Sequence, residues 1–383
     1  MKNLPQPSAA QLARSTTLLE HIRALMAQHD GWLPFDAYMS AALYTPSLGY
    51  YANEGSPFSA WANEGDFITA PLLSPLFGAC IAEQAIEVFE RTGASQILEI
   101  GAGTGRLAAD VLNHLKQQHI DVTYYILELS ATLRSQQQAT LADAAHHVVW
   151  LDALPTAFDG LILGNEVLDA MPVKLIGMSQ GAWFERGVVW QDGALAYEDR
   201  ATAFKLPTDD DWQHALKDSG ASYLSETHDQ QIAFMRSLGA CLGKGVILML
   251  DYGFPAHEFY HPQRNTGTLM CHIQHVAHSD ALYHAGVQDL TAHVNFSALK
   301  NIESLNAIGY TNQANFLINT GLLNQLAAQS DETQRSHANR AHKLISEAEM
   351  GELFKVMAWE KGLNLNDDDV LIGFERGDRL HSL

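Results

Sequence analysis

Along the first hundred positions the hydrophobic pattern changes period twice. Leu12, Leu18, Leu19, Ile22, Leu25 and Met26 recur at mostly three- and four-residue spacing, which predicts a helix over 12–30 ending at His29-Asp30-Gly31. Tyr44 to Pro75 keeps no period and is rich in Gly, Pro, Ser and aromatics, so it reads as a binding loop or lid. Ser74-Pro75 then opens a helix to about Arg91, closed by Thr92-Gly93, because proline suits a first helical turn and glycine ends one. Beyond it, short apolar runs alternate with helical stretches. The runs are 96–100 (QILEI), 122–129 (VTYYILEL), 148–151 (VVWL), 160–163 (GLIL) and 246–250 (VILML). Between the first two, Leu107, Ala108, Val111, Leu112 and Leu115 share one helical face. Strands alternating with helices predict an α/β protein of right-handed βαβ units around a parallel sheet.

Residues 173–244 interrupt this series. VKLIGMSQGAWFERGVVWQDGALAYE alternates over short runs split by glycine, which predicts an antiparallel excursion, and YLSETHDQQIAFMRSLGACL reads as a helix returning to the sheet. A His-rich loop follows Asp251, and a mainly helical tail follows Asn295. The expected organisation is an N-terminal helix and arm over 1–75, a Rossmann-like core over 76–172 and 223–300, an insertion over 173–222, and a helical extension with final strands over 301–383.

Composition narrows the partners. With 23 Lys+Arg against 44 Asp+Glu the 383-residue chain carries a formal charge of −21, and 47% hydrophobic against 17% charged residues allows a sizeable core. So acidic a surface repels a phosphate backbone, which excludes nucleic acid and favours a basic partner. Cys80, Cys241 and Cys271 are odd in number and far apart, which argues against a disulfide framework. No apolar run approaches the ~18–20 residues of a membrane-spanning helix, and the opening MKNLPQPSAAQLARSTT has no secretory h-region. On these grounds a cytoplasmic location is expected.

The sharpest chemical signal is Glu99-Ile-Gly101-Ala-Gly103-Thr-Gly105-Arg106, placed directly after a strand and before a helix. Glycines there let backbone approach a ligand closely, but Arg106 replaces the third glycine of a dinucleotide fingerprint. Glu99 suits a ligand with an ammonium group and no phosphate, which fits S-adenosylmethionine. Glu128 ends the second strand, where a carboxylate accepts hydrogen bonds from ribose hydroxyls, and Asp152 follows the third, placed to meet an adenine amino group. The fourth strand ends in GNEVLDAMP, giving Asn165, Glu166 and Asp169 a place beside the transferable group. Carboxylates there orient and deprotonate a cationic nucleophile such as a guanidinium. Asp251, after the fifth strand, is expected to border the same cleft.

At this point the chain resembles the MidA-like methyltransferases, whose mitochondrial members are complex I assembly factors that methylate arginine. The match runs from about residue 15 to the C-terminus and includes LYTPSLGYY, GDFITAP, ILEIGAGTGRLA, GNEVLDAMPV, DYGFP, YHPQRNTGTLMCH, QDLTAHVNFSAL, MGELFKVMA and GFERGDR. The resemblance implies S-adenosylmethionine held by Gly101, Gly103, Gly105 and Glu128. It also implies a seven-strand class I methyltransferase sheet with an N-terminal arm and a β-rich, substrate-side insertion. By analogy the arm around Asp66, Thr69 and Pro71 folds over the cofactor. Two positions depart from the family pattern: Leu72 stands where Glu is expected, and Asn295 where Asp is common.

His293 in DLTAHVNF, with Asp289 nearby, is a further candidate for the catalytic cleft, beside Glu166, Asp169 and Asp251. Cys271, His272, His275 and His278 suggest a metal set, but a 272, 275, 278 spacing drifts round a helix and tetrahedral sites usually draw ligand pairs from two elements. No metal is therefore expected. The favoured reading is methylation of arginine on a protein substrate. A cofactor-binding assembly factor without essential catalysis and a small-molecule methyltransferase remain as alternatives.

Overall fold

The computed structural model describes residues 4–53, 69–274, 276–329, 331–366 and 369–383, with backbone only for 331–336. The chain divides into two compact units, one of Met1–Asp66, Leu168–Ala233 and Phe254–Ala298, the other of Phe67–Val167, Phe234–Gly253 and Leu299–Leu383.

The second unit carries the parallel sheet. Its strands are β1 (Gln96–Ile100), β2 (Thr123–Leu127), β3 (Val148–Leu151), β4 (Phe158–Asn165), β5 (Leu242–Phe254), β6 (Asn306–Asn312) and β7 (Phe354–Lys361), with helices α1 (Pro75–Thr92), α2 (Arg106–Gln117) and α3 (Ala131–Thr140). The spatial order is β3-β2-β1-β4-β5-β7-β6. Strands β1 to β5 are parallel, and β7 runs antiparallel to both its neighbours. The chain builds outward from β1 to β3, then returns to β4 on the other side of β1. A crevice therefore opens beyond the carboxyl ends of β1 and β4, where open α/β sheets bind ligands.

Local sequence explains the elements. In α1 the Ser74 Oγ accepts from Leu76 N, proline occupies the first turn, and Gly93 closes the helix at φ 77°, a left-handed conformation that costs glycine least. The apolar stripe of α2, Leu107, Ala108, Val111, Leu112 and Leu115, is buried in one core with Phe77, Ile81, Leu161, Leu163 and Val356. Each such fully buried leucine contributes about 2 kcal/mol.

Residues 301–383, expected as a helical extension with final strands, supply β6 and β7 together with the helices Gln313–Asn319, Leu322–Ala327 and Asp331–Ile345, and β7 pairs with β5 from Gly245↔Lys361 to Tyr252↔Phe354. Within β7, Lys355 and Glu360 are buried among its apolar residues.

The first unit joins three stretches that the expected boundaries kept apart, the N-terminal segment, the insertion and residues 254–298. Helix Ala9–Gln28 is closed at its start by a capping box, Ser8 and Gln11 bonding reciprocally. The antiparallel excursion is a sheet in which Trp32–Pro34, Ala182–Gln191, Lys174–Ser179 and Tyr223–Thr227 lie side by side, with Ala194–Ala201 also paired to Ala182–Gln191. Tyr223–Thr227, expected as helix, is thus a strand in register with Lys174–Ser179, and the helix begins at Asp229. The His-rich loop is a small sheet of Met270–Ile273, Val276–His278 and Asp289–Thr291. Leu18, Ile22, Phe35, Tyr38, Leu175, Val188 and Leu290 share this unit's main core.

Candidate active site at the carboxyl edge of the sheet

Parallel pairing levels the strand ends: Ile100 lies opposite Leu127 and Gly164, Leu127 opposite Leu151, and Asn165 opposite Leu250. Gly101, Glu128, Asp152 and Glu166 therefore leave the sheet along one edge. Gly101, Gly103 and Gly105 have φ of 67°, 52° and 79°, all left-handed. The turn is closed by Gly105 N donating to Ala102 O at 2.8 Å. A Cβ on Gly101 would stand 3.3 Å from Val167 Cγ2, and one on Gly105 would stand 3.3 Å from Gln137 Cα. Conformation disfavours side chains at both positions, and the neighbours would have to give a few tenths of an ångström to admit one.

Glu128 is almost enclosed, and both its oxygens are engaged. Ser130 N donates to Oε1 at 2.8 Å and Gln137 Nε2 to Oε2 at 2.9 Å. Burial raises its pKa, against the pull of those donors and of Arg134. Glu99 lies deeper. Tyr124 Oη donates to its Oε2 at 2.9 Å, and burial pushes its pKa up to about 7. Asp152 is exposed and ion-paired to Arg134 Nη2 at 2.7 Å, while the same nitrogen donates to Leu151 O and Glu128 O. Arg134 and Gln137 on α3 thus stitch β2 and β3 to the glycine turn. Neither was singled out from sequence, and only extending the phase of the buried Leu133 by one helical turn would have pointed Gln137 inward.

At the end of β4 the backbone turns sharply. Glu166 adopts φ 54°, uncommon for a residue with a side chain. Its N–H donates to Leu250 O at 2.8 Å, and Asn165 Nδ2 donates to its Oε1 at 3.2 Å. Asp251 lies 1% exposed, and its carboxylate accepts from Val167 N at 3.2 Å and from Tyr252 N at 2.9 Å. Asp251, expected to border the catalytic cleft, is buried here and its carboxylate ties the backbone just after Glu166 to β5. Asn165 Oδ1 is buried with no hydrogen-bond partner among the described residues.

Asp169 and His293 belong to the first unit. Asp169 is buried, and its carbonyl accepts from Ala292 N at 2.9 Å. Near it, Asp289 Oδ1 accepts from Tyr51 Oη at 2.8 Å, and burial together with the Asp169 charge pushes the Asp289 pKa up to about 7. The His293 ring stacks on Phe254 at 5.2 Å and 5°, its N–H donates to Thr268 Oγ1, and its carbonyl bonds His228 Nε2. Burial lowers the His228 pKa to about 4 and so keeps that ring neutral. Thr69 directly precedes the short helix Ala70–Leu73, without a side-chain capping bond; Pro71 is buried in that helix, which packs against α2. Asp66, expected in the covering arm, and His275, from the suggested metal set, lie outside the described residues. Cys271 pairs opposite His278 and His272 opposite Ala277 across two strands, so the helical spacing argument does not apply. Among the described residues no three His, Cys, Asp or Glu gather as a metal set.

The sheet order, the glycine turn and the acids at the strand ends define the class of a Rossmann-like methyltransferase. A family model for S-adenosyl-L-methionine-dependent methyltransferases matches residues 80–311, and the chain belongs to that family. It is 43% identical to a superfamily member from Burkholderia thailandensis crystallised with S-adenosyl-homocysteine bound, with both chains fully covered and a TM-score of 0.90. A native structure of a protein from the same organism gives 43% and 0.87. Among curated relatives, the mitochondrial protein arginine methyltransferase NDUFAF7 homolog of Drosophila melanogaster is 28% identical, covering 94% of this chain and 88% of its own. Human mitochondrial NDUFAF7 is 25% identical, with 90% and 83% covered.

The chain is thus an S-adenosylmethionine-dependent methyltransferase of class I fold. The residues present fit that cofactor, since three left-handed glycines bring bare backbone to the strand ends and Asn165 Oδ1 is a buried acceptor without a donor among the described residues. The cytoplasmic expectation is corrected: these relatives are mitochondrial proteins, and cysteine number and N-terminal composition do not report a compartment. No described helix is long and apolar enough to cross a membrane.

Proposed function

We propose that this enzyme methylates a guanidinium nitrogen of arginine on a protein. The observation that carries the reading is the Asn165-Glu166-Val167 corner, where a carboxylate is held in a left-handed backbone conformation by Leu250 O on one side and the Asp251 clamp on the other. Such strain persists when the surrounding structure over-determines it, and it clusters at functional sites. The relatives named protein arginine methyltransferases support the same substrate.

The cofactor supplies a methyl group on a sulfonium. Gly101, Gly103 and Gly105 would hold it against bare backbone, Glu128 would accept from its ribose hydroxyls, and Glu99 and Asn165 would serve its amino-acid end. Asp152 is the acid on the adenine side, and Thr69 with Pro71 belongs to the covering arm. Glu166 would orient the guanidinium and take the proton it loses as the nitrogen–carbon bond forms and the sulfonium's sulfur–carbon bond breaks, leaving the thioether as the product. Positioning of the two reactants supplies much of the acceleration. The net charge of −21 favours approach of a basic substrate segment.

The test is Glu166→Ala, assayed for methyl transfer and, separately, for S-adenosylhomocysteine binding. Transfer falls about 10²–10⁴-fold, the usual worth of a positioned acid–base group, while affinity stays within about twofold. Equal loss of both would place Glu166 in cofactor binding instead.

A further inference from the structure

Gln137 belongs to a helix whose sequence, ATLRSQQQAT, is polar almost throughout, yet its side chain is 0% exposed. Burying an amide is unfavourable unless it is fully hydrogen-bonded. Here the requirement is met by three parts of the cofactor edge. Nε2 donates to Gly103 O at 3.0 Å and to Glu128 Oε2 at 2.9 Å, and Oε1 accepts from Trp150 Nε1 at 3.0 Å. Both donors of the amide are used, and the reversed orientation would set its oxygen against a carboxylate and a carbonyl, so chemistry fixes which end is which. With Ser130 N on Oε1, the Glu128 carboxylate is held in one plane. Gly105 packs on Gln137, so the same residue also supports the far end of the turn.

We propose that Gln137 is a positioning residue for the cofactor, its amide locking the Glu128 carboxylate and the Gly103 carbonyl into one preformed unit. A ligand then spends none of its binding energy on ordering them. The inference rests on the reading that Glu128 receives the ribose hydroxyls. It predicts a proton-dependent defect that loss of packing alone does not produce. In Gln137→Glu at pH 8, a second ionised carboxylate faces Glu128 Oε2 and Gly103 O. At pH 5.5, a proton on that pair restores one O–H donor between them. The other charged and titratable groups near this point, Glu99, Tyr124, Arg134, Arg106, Asp110 and Asp152, are common to parent and variant.

The experiment is calorimetric titration of the full chain with S-adenosylhomocysteine at pH 8 and 5.5, for the parent, Gln137→Glu, Gln137→Met and Glu128→Gln, with thermal unfolding of each as the control for folding. One lost charge-assisted hydrogen bond corresponds to about a tenfold change in affinity. Gln137→Glu should bind about tenfold more weakly than the parent at pH 8 and recover to within about threefold at pH 5.5, whereas Gln137→Met stays about tenfold weaker at both. A Gln137→Glu defect that persists at pH 5.5, or Gln137 variants that bind as the parent does, would overturn the positioning role. If Glu128→Gln also binds as the parent does, it is the reading of Glu128 that fails. A Glu128→Gln loss beside unaffected Gln137 variants defeats the positioning role alone.

Discussion

Glu166 and Glu99 are the residues whose local energetics bear most directly on chemistry. Glu166 sits in the left-handed region, where a side chain costs on the order of 1 kcal/mol and a β-branched one more. Replacing it with glycine removes that cost while loosening the unfolded chain, so the two effects offset. Glu166→Gly should unfold in urea within about 1 kcal/mol of the parent, whereas Glu166→Val should be clearly less stable. Equal stabilities for the two would show that this backbone conformation is not under strain. Glu99 has a folded pKa of about 7, raised by burial above the ordinary 4.5. Its favourable contribution is full below pH 4.5 and is lost as pH rises through 7, because the folded state holds the proton that the unfolded chain has given up. Glu99→Gln should therefore match the parent near pH 4.5 and exceed it by about 3 kcal/mol at pH 8, read from urea unfolding at each pH. A pH-independent difference would contradict the buried, proton-holding state of this carboxyl.

The elements were legible where burial follows hydrophobicity. QILEI and the residues around GLIL are short, almost continuous apolar runs, as strands buried on both faces must be, and the glycine turn announces itself between the first strand and its helix. Misreading began where buried positions are polar. Tyr223–Thr227 looked helical because Ser225 and Glu226 interrupt its apolar residues, yet Glu226 is fully buried and accepts from Thr268 N and Leu269 N. Gln137 is likewise buried although its helix is polar almost throughout. Such residues are satisfied by partners far away in sequence, which no local period records. Glu128, Glu166 and the three glycines were readable as chemistry because each falls at a strand end, while Asp251 was readable only as an acid and its clamp on Val167 N depends on β5 lying beside β4. The turn itself gives a sharp expectation. Gly101→Val adds a β-branched side chain at φ 67° with Val167 Cγ2 about 3.3 Å from its Cβ, so S-adenosylhomocysteine binding should be abolished in calorimetry. Binding at parental affinity would remove the turn from the cofactor site.

For the molecule as a whole, length and charge take on definite meaning. The 383 residues form two compact units, each assembled from three stretches of chain, and the final 83 residues belong to the second unit, to whose sheet they add β6 and β7. A chain ended after Lys300 leaves β5 without its β7 partner and exposes the β5 edge. It should be recovered as aggregate, and a soluble, cooperatively unfolding product would contradict the structure. The charge of −21 falls toward −3 if all 18 histidines become protonated, so solubility should be least in mild acid, except that His228 and His272, both lowered to about 4 by burial, stay neutral there. The central claim remains the transfer of a methyl group to arginine. Its most direct test is to incubate the purified enzyme and isotopically labelled S-adenosylmethionine with extract from cells lacking the enzyme, then analyse digested protein by mass spectrometry. Labelled methylarginine that disappears with Glu166→Ala is the predicted result; label confined to small molecules, or to residues other than arginine, would contradict it.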